Sequence, residues 1–388
     1  MQYRSFGSLD WKVSALGFGC MRFPTTDGTR GGASIDKAEA ARMLYYAIEN
    51  GVNYLDTAYP YHRQQSEVFL GEALKGGWRE KVRLATKMPH WLMSGPDQFD
   101  TFFNEQLQKL QTEYVDFYLL HGLDKNSWQK LQQWDVFTWA EKRIAEGRIR
   151  YLGFSFHDDL ETFKNIVDGY DWTFCQIQHN YMDIEEQAGT AGLHYAASKG
   201  LAVVIMEPLL GGKLAATQPE VQAIWDTAPV KRSPAEWALQ WLWNQPEVSV
   251  VLSGMSTMQQ VQENIAAADR SRVGLLTADE LAIVDKVRET YRKLCLVACT
   301  GCQYCQPCPN EINIPLLFEL YNSGHMYGVL EEVRRAYRDW VPPEKRADQC
   351  AHCHECEDKC PQHLPVCDLL EKVDLVLSGS KTYAEVLA

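Results

Sequence analysis

The sequence predicts an α/β chain in which a parallel (β/α)8 barrel is followed by a small, mainly α-helical, cysteine-rich module. Apolar strand-like runs alternate with helical patterns at a period of about thirty residues, as repeated βα units require. Polar residues stand at the ends of three consecutive strands, which is where a barrel gathers its site. Ten of the twelve cysteines lie between Cys295 and Cys367, beyond the alternating part of the chain.

The individual elements follow from local patterns. Tyr3–Phe6 and Lys12–Ser14 flank a Gly-Ser-Leu-Asp turn and predict a hairpin, and Ala15–Gly19 predicts the first barrel strand. Ser233–Glu236 is typical of a capping box with proline at the first helical position. The connection Glu207–Arg232 is long enough to be a lid or a cofactor clamp. Further strands are predicted to begin near Val52, Val82, Val115, Ile149, Thr173, Leu201 and Val248.

Length and composition restrict the possible classes of protein. The 388 residues can hold a barrel of about 250 to 300 residues plus a small module, so we predict domains at 1–294 and 295–388. A net charge of -13 argues against nucleic acid or an anionic membrane surface as a partner. No run reaches the roughly 18 apolar residues of a membrane span, and no signal-peptide pattern opens the chain, so we expect a cytoplasmic protein.

Four polar residues lie at or just past the ends of three consecutive predicted strands. Asp56 ends the first of these strands and Tyr61 follows it past a proline, while Lys87 and His121 end the next two. Parallel strands would open all four side chains onto one face. A phenol has an ordinary pKa of about 10, and a neighbouring ammonium held by a carboxylate should lower that pKa. With a histidine to orient a carbonyl, the set could protonate the oxygen while hydride reaches the carbon.

Each of these residues alone is more often structural, but four at successive strand ends favour a function. Three segments resemble, in order, the catalytic tetrad motifs of the aldo-keto reductase family: Leu55–Ala58 with Tyr61, Leu84–Lys87, and Tyr118–His121. The resemblance extends from about Tyr3 to about Thr290. It implies that Tyr61 is the general acid, that Lys87 and Asp56 tune it, and that His121 orients the carbonyl of a small-molecule substrate.

The same resemblance implies a nicotinamide site at later strand ends. Ser155 and Gln176 match the residues through which family members hold the carboxamide. Met206 stands where an aromatic side chain commonly stacks on the nicotinamide, three residues before Leu209, and a thioether can also pack on a ring face.

A segment at the last strand and its helix resembles the adenosine-binding segment of the family. Glu263 and Asn264 fit the adenine contacts, whereas Gly254 and Gln260 stand where many relatives present basic residues to the 2′-phosphate. Lys213 could supply one charge from the long connection. The resemblance therefore implies NADP(H) or NAD(H) as the cofactor. The segment comprises Ser253, Gly254, Ser256, Gln260, Glu263 and Asn264; a helix N-terminus near its serine could receive a phosphate, or the serine could simply cap the helix.

The module carries two runs of four cysteines, each followed by proline. The runs are Cys299, Cys302, Cys305 and Cys308, then Cys350, Cys353, Cys356 and Cys360. This is the bacterial-ferredoxin pattern for two [4Fe–4S] clusters, in which the fourth cysteine of each run ligates the other cluster, although the first run is one residue shorter. Zinc is the main competitor, since C-x2-C pairs also bind it. Cys295 and Cys367 are left over, and we expect each to be buried or to lie beside the ligands.

The residues between the two runs follow helical patterns, so the module resembles the α-helical ferredoxin-like dicluster domains. Barrel and module together resemble the iron–sulfur aldo-keto reductases. We therefore expect an oxidoreductase that reduces an aldehyde, ketone or quinone, with clusters for one-electron transfer to a ferredoxin-like partner. The alternative is an electron-transfer or redox-sensing protein whose barrel mainly binds nucleotide and partner.

Overall fold

The computed structural model describes all 388 residues, and the chain divides into two compact units. The first unit comprises Met1–Gly211 and Glu236–Thr277, and the second comprises Gly212–Ala235 and Ala278–Ala388. Most of the long connection after the predicted seventh strand thus belongs to the second unit. The predicted domain boundary after residue 294 stays a prediction.

Ten strands are present, all in the first unit. They are β1 (Tyr3–Phe6), β2 (Leu9–Ser14), β3 (Leu16–Gly19), β4 (Tyr54–Asp56), β5 (Arg83–Met88), β6 (Val115–Leu123), β7 (Ile149–Phe156), β8 (Phe174–Gln178), β9 (Ala202–Met206) and β10 (Val248–Ser253). β1 and β2 form the predicted hairpin. The other eight are parallel and close into a barrel in the order β10-β3-β4-β5-β6-β7-β8-β9, which confirms the predicted (β/α)8 fold. Each begins within two residues of its predicted start.

Helices follow the barrel strands and then make up the C-terminal part of the chain. The first eleven helices are α1 (Lys37–Glu49), α2 (Gln65–Ala73), α3 (Phe99–Leu110), α4 (Lys125–Gln133), α5 (Val136–Ala145), α6 (Leu160–Asp168), α7 (Gly189–Ser198), α8 (Pro219–Trp225), α9 (Pro234–Trp243), α10 (Met258–Asp269) and α11 (Ala278–Lys293). The last five are α12 (Ile314–Tyr327), α13 (Leu330–Trp340), α14 (Glu355–Asp358), α15 (Val366–Leu377) and α16 (Tyr383–Leu387). None of them combines the length and apolar character that crossing a membrane requires.

Successive side chains along each strand point to opposite sides of the barrel sheet. In β6, Phe117 and Leu119 belong to the cluster that fills the barrel interior, whereas Tyr118 and Leu120 belong to the layer between sheet and helices. Phe6 of the hairpin is fully buried and packs on Phe117, with ring centroids 4.8 Å apart. The hairpin therefore plugs the barrel interior, which leaves the strand carboxyl ends as the open mouth.

The second unit has its own hydrophobic core, built by the C-terminal helices and by segments that surround the cysteine runs. Leu317 and Phe318 of α12, Val333 of α13 and Leu370 of α15 are at its centre. Five cysteines of the two runs pack against that core from the side: Cys299, Cys305, Cys308, Cys350 and Cys356. The predicted mainly helical, ferredoxin-like module is confirmed.

Candidate active site

The barrel brings the ends of β4, β5 and β6 side by side. Asp56 is the last residue of β4 and pairs in register with Ala85, two residues before Lys87 on β5. Lys87 in turn pairs with Leu119, two residues before His121 on β6. Because successive strands are parallel and hydrogen-bonded, the three polar residues meet at the same end of the barrel.

The Lys87 ammonium links the predicted residues to one another. It is 1% exposed and donates to Asp56 Oδ1 at 2.7 Å, to the Thr57 carbonyl oxygen at 2.8 Å and to Tyr61 Oη at 3.3 Å. Burial acts to lower the pKa of Lys87, but the Asp56 carboxylate and the Tyr61 phenol outweigh burial, so this pKa lies above its usual value. An ammonium has three protons, and all three have an acceptor.

The Tyr61 phenol stays protonated in this setting. Burial raises the pKa of Tyr61 above its ordinary value of 10.0, the Lys87 ammonium acts to lower it, and the Asp56 carboxylate acts with burial. The expected lowering of this pKa is therefore wrong, because the sequence pattern did not include the cost of an anion in a buried site. The raised pKa suits Tyr61 as a proton donor, because the phenol keeps its proton at neutral pH.

His121 lies next to the phenol as an uncharged imidazole. Its ring centroid is 6.4 Å from that of Tyr61, and its Nδ1 is buried without a hydrogen-bond partner. Burial, together with the nearby charges of Lys87 and two other histidines, holds the pKa of His121 well below 6.5. One of these, His90, follows β5 and hydrogen-bonds through Nε2 to the His121 carbonyl oxygen at 2.7 Å, an anchor that the sequence pattern missed.

A buried network behind Lys87 was also missed. Glu67 of α2 is fully buried and accepts from Thr86 Oγ1 at 2.6 Å and from Gln106 Nε2 at 2.7 Å. Gln106 donates as well to the Lys87 carbonyl oxygen at 2.9 Å, and Tyr118 donates to Gln106 at 2.8 Å. These contacts fix the backbone that carries Lys87. A glutamate and a glutamine at helical positions give no sequence signal for such burial.

The turn that carries Tyr61 is held by an unusual backbone. His62, Arg63 and Gln64 all have positive φ, between 50° and 71°, ahead of α2. The His62 ring is buried and binds the connection after β3 through both nitrogens: Nε2 accepts from the Phe23 amide at 3.1 Å, and Nδ1 lies 2.7 Å from the Gly32 carbonyl oxygen. Three consecutive left-handed residues are strained, and His62 offsets that strain by side-chain bonding.

The predicted nicotinamide residues lie together at neighbouring strand ends. Ser155 and Gln176 are register partners on β7 and β8, and both are 1% exposed. Gln176 Nε2 lies 3.6 Å from the sulfur of Met206, while Gln176 Oε1 is buried without a partner. Ser155 Oγ accepts from the Gly122 amide at 2.7 Å and keeps its own proton to donate. A carboxamide needs one acceptor and one donor, and this pair offers both.

The predicted adenosine segment surrounds the start of α10. Asn264 is nearly buried and donates to Ser253 Oγ at 3.0 Å, and Ser256 N donates to Gln260 Oε1 at 2.8 Å. Glu263 accepts from Gln259 at 2.7 Å. These side chains stabilise the join between β10 and α10, and their contacts with adenosine stay predictions.

Two basic residues make contacts that the sequence could not assign. The Arg22 side chain crosses Gly254, where an added Cβ would lie 2.6 Å from Arg22 Cγ, and the Arg22 carbonyl oxygen accepts from Ser256 Oγ at 2.8 Å. Glycine is thus needed for Arg22 to reach this position. Lys213, by contrast, donates to Ser323 Oγ at 3.1 Å within the second unit.

The cysteines of the module line two pockets of the second unit. One pocket is lined by Cys299, Cys302, Cys305 and Cys360. The other is lined by Cys308, Cys350, Cys353 and Cys356, with Cys305 and Cys367 also at its wall. The fourth cysteine of each run therefore lies with the other run, as the ferredoxin pattern predicts. Four thiols around one pocket are a donor set that suits iron and sulfide. Cys367 is buried as expected, whereas Cys295 is exposed.

Comparison with known proteins identifies both parts of the chain. A model of the Aldo/keto reductase family matches residues 15–289, and a model of the 4Fe-4S dicluster domain matches residues 298–364. An uncharacterized oxidoreductase, YqkF, from Bacillus subtilis (strain 168) is 29% identical over 313 residues, which cover 72% of this chain and 94% of that protein. L-galactose dehydrogenase from Arabidopsis thaliana is 25% identical over 314 residues, which cover 76% of this chain and 96% of that protein.

The barrel also resembles solved structures. The holo form of aldo-keto reductase AKR11C1 from Bacillus halodurans matches with a TM-score of 0.61 at 27% identity, covering 74% of this chain and 96% of that one. The family match spans well over half of the 388 residues and includes all four residues that meet at the barrel mouth. The chain therefore belongs to the aldo/keto reductase family and is an oxidoreductase with a C-terminal 4Fe-4S dicluster domain.

Proposed function

We propose that the protein reduces the carbonyl of an aldehyde, ketone or quinone with hydride from NAD(P)H, or oxidises the corresponding alcohol in reverse. The observation that carries this proposal is the Lys87 ammonium, which is buried and bonded to both the Asp56 carboxylate and the Tyr61 phenol. A module that only bound nucleotide would have no use for a buried acid with its own charge partner.

The four residues divide the proton chemistry among them. Tyr61 donates its phenolic proton to the carbonyl oxygen, and Lys87 stabilises the phenolate that remains. Asp56 keeps the ammonium in place at 2.7 Å. His121, uncharged because of its burial, orients the carbonyl oxygen beside the phenol.

Ser155, Gln176 and Met206 are the residues that would hold the nicotinamide. The buried, unpartnered Gln176 Oε1 would accept from the carboxamide nitrogen, and the Ser155 hydroxyl would donate to its oxygen. A bound nicotinamide supplies the hydride. Leu209 and the segment from Ser253 to Asn264 are assigned to the rest of the nucleotide by the family resemblance.

We assign one [4Fe–4S] cluster to each cysteine pocket. The pocket that contains Cys360 would hold the first cluster and the pocket that contains Cys308 the second. Clusters transfer single electrons, whereas hydride transfer moves two together and needs no iron. We therefore infer that the module exchanges electrons with an external one-electron carrier, such as a ferredoxin-like protein.

A second function is favoured by the same cysteines, namely electron transfer or redox sensing with a barrel that only binds nucleotide. Anaerobic turnover of aldehydes, ketones and quinones with NADPH and NADH separates the two. Consumption of nucleotide that depends on a carbonyl supports the reductase. Nucleotide binding without turnover of any of these classes, together with reducible clusters, would instead support the second function.

The reduction should be nearly independent of pH across the neutral range. Tyr61 must carry a proton to act as the acid. Its pKa is raised from 10.0, so the phenol stays protonated as the pH rises through the neutral range. His121 must be neutral to orient the carbonyl. Its pKa lies well below 6.5, so the imidazole stays neutral as the pH falls toward that value. We expect kcat/KM for carbonyl reduction to stay flat across the neutral range, with any acid-side fall centred below pH 6.5 and any alkaline-side fall centred above pH 10.0. An inflection near pH 7 in the full-length protein would contradict these assignments.

Discrimination between NADPH and NADH should be modest and should depend on Arg22. Gly254 and Gln260 carry no charge, and the Arg22 side chain crosses Gly254. A partly exposed ion pair is worth about 1 kcal/mol, so Arg22→Ala should weaken NADPH binding by roughly fivefold and leave NADH binding unchanged. Fluorescence titration measures both, with Arg42→Ala, whose partner is Glu39, as a control. A strong NADPH preference that survives Arg22→Ala would show the assignment to be wrong.

A further inference from the structure

The two cysteine pockets differ in one respect that the ferredoxin pattern does not predict. The first pocket is lined by its four assigned ligands and no other cysteine. The second pocket is lined by its own four assigned ligands, by Cys305 of the first set, and by Cys367 on the first turn of α15, which belongs to neither set. Cys367 is 1% exposed and lies outside both cysteine runs.

Cys367 is held firmly against the second ligand set. Its sulfur, Cys350 Sγ and a ring nitrogen of His352 lie within 4.8 Å of one another. The Cys367 backbone amide donates to Glu357 Oε1 at 2.8 Å, and its helix neighbours Val366 and Leu370 are buried in the core of the unit. The thiol therefore cannot swing away into solvent without disturbing α15.

The position of Cys367 suits a hydrogen-bond donor better than a ligand. A [4Fe–4S] cluster takes one terminal thiolate on each of its irons, and the assigned cysteines of the second pocket already supply one for each. A thiol crowded beside Cys350 would compete for the same iron and not reach a separate one. A cysteine without a metal keeps its S–H proton and can donate it weakly.

We propose that the Cys367 thiol donates a hydrogen bond to the cluster-bound sulfur of Cys350 and thereby makes the second cluster easier to reduce. The inference rests on the proposed assignment of one cluster to each pocket. Reduction adds one electron, from an external one-electron donor, and breaks no bond. Hydrogen bonds to cluster sulfurs stabilise the more negative, reduced form and raise the reduction potential.

The test is an anaerobic redox titration of the full-length protein, followed by EPR, on wild type, Cys367→Ala and Cys367→Ser. The second cluster is identified by the signal that Cys353→Ser removes. In Cys367→Ala, the ratio of reduced to oxidised second cluster at a fixed potential should fall about tenfold, which is 59 mV for one electron. Cys367→Ser keeps a donor and should restore most of that ratio.

The iron content and the first cluster provide the controls. Both Cys367 variants should keep the wild-type iron, and the first cluster should titrate unchanged. Cys295→Ala removes a thiol that lines neither pocket and should behave as wild type. An unaltered potential in Cys367→Ala at full iron content overturns the proposal, and loss of one cluster in that variant shows that Cys367 is a ligand. If wild type itself lacks the second cluster, the two-cluster assignment has failed first.

Discussion

Tyr61→Phe should lose carbonyl reduction by about 10² to 10⁴-fold in kcat while its nucleotide affinity and fold are preserved. The substitution removes the hydroxyl that lies 3.3 Å from the Lys87 ammonium and leaves the ring in place. No other phenol is bonded to that ammonium, so the carbonyl oxygen loses its proton donor. Steady-state turnover with NADPH and NADH, beside fluorescence titration of nucleotide binding, measures the two effects separately.

A matched control for this variant lies on the same turn. Tyr59 is two residues earlier, and its hydroxyl donates to Glu105 at 3.1 Å, whereas the Lys87 ammonium donates to the Tyr61 oxygen. Tyr59→Phe should therefore keep turnover close to wild type. Wild-type turnover in Tyr61→Phe would end the assignment of Tyr61 as general acid. An equal loss in both variants would point to a damaged turn as the cause.

Metal content is expected to be about eight iron and eight sulfide per chain in protein purified without oxygen, because each pocket should hold one [4Fe–4S] cluster. The fourth cysteine of each run provides the sharper test, because it should ligate the cluster that the other run holds. Cys360→Ser should impair the first pocket and Cys308→Ser the second, each lowering iron to about four per chain. Iron and acid-labile sulfide assays, with EPR of the reduced protein, measure this directly.

The exposed Cys295 supplies the control for the metal experiment. Cys295→Ser should retain the full iron and sulfide, because this residue lines neither pocket. Stoichiometric zinc without sulfide in wild type would contradict the cluster assignment. Full iron in Cys308→Ser would show that another thiol completes the second pocket, and Cys367 at the same wall would be the first to examine.

The fold and the four catalytic candidates could be predicted because their signals are local. Apolar runs and helical periods depend on neighbouring residues, so each barrel strand was located within two residues. A parallel barrel then dictates that strand ends meet, which places Asp56, Lys87 and His121 together without any knowledge of distances. Cysteine spacing is equally local, and the two Cys-Pro runs predict cluster chemistry from the chain alone.

The surroundings of the site could not be predicted, because they depend on burial and on contacts between distant segments. Glu67 and Gln106 look like surface residues of two helices, yet both are fully buried behind Lys87. His62 binds a connection some thirty to forty residues earlier in the chain. No periodicity in the sequence reports such pairings, since each side chain is ordinary in its own segment.

Residue types and their spacing along the chain define the class of chemistry: a proton donor with its charge partner at the mouth of a barrel, and eight thiols in two runs. The folded arrangement defines the pKa values and the hydrogen-bond partners of those groups. Burial raises the pKa of Tyr61 although the Lys87 ammonium acts to lower it, Arg22 passes over Gly254, and Cys367, a thiol outside both runs, lies beside Cys350. The physical reason is that pKa values and hydrogen bonds follow from desolvation and from distances of a few ångströms, which only the folded chain defines.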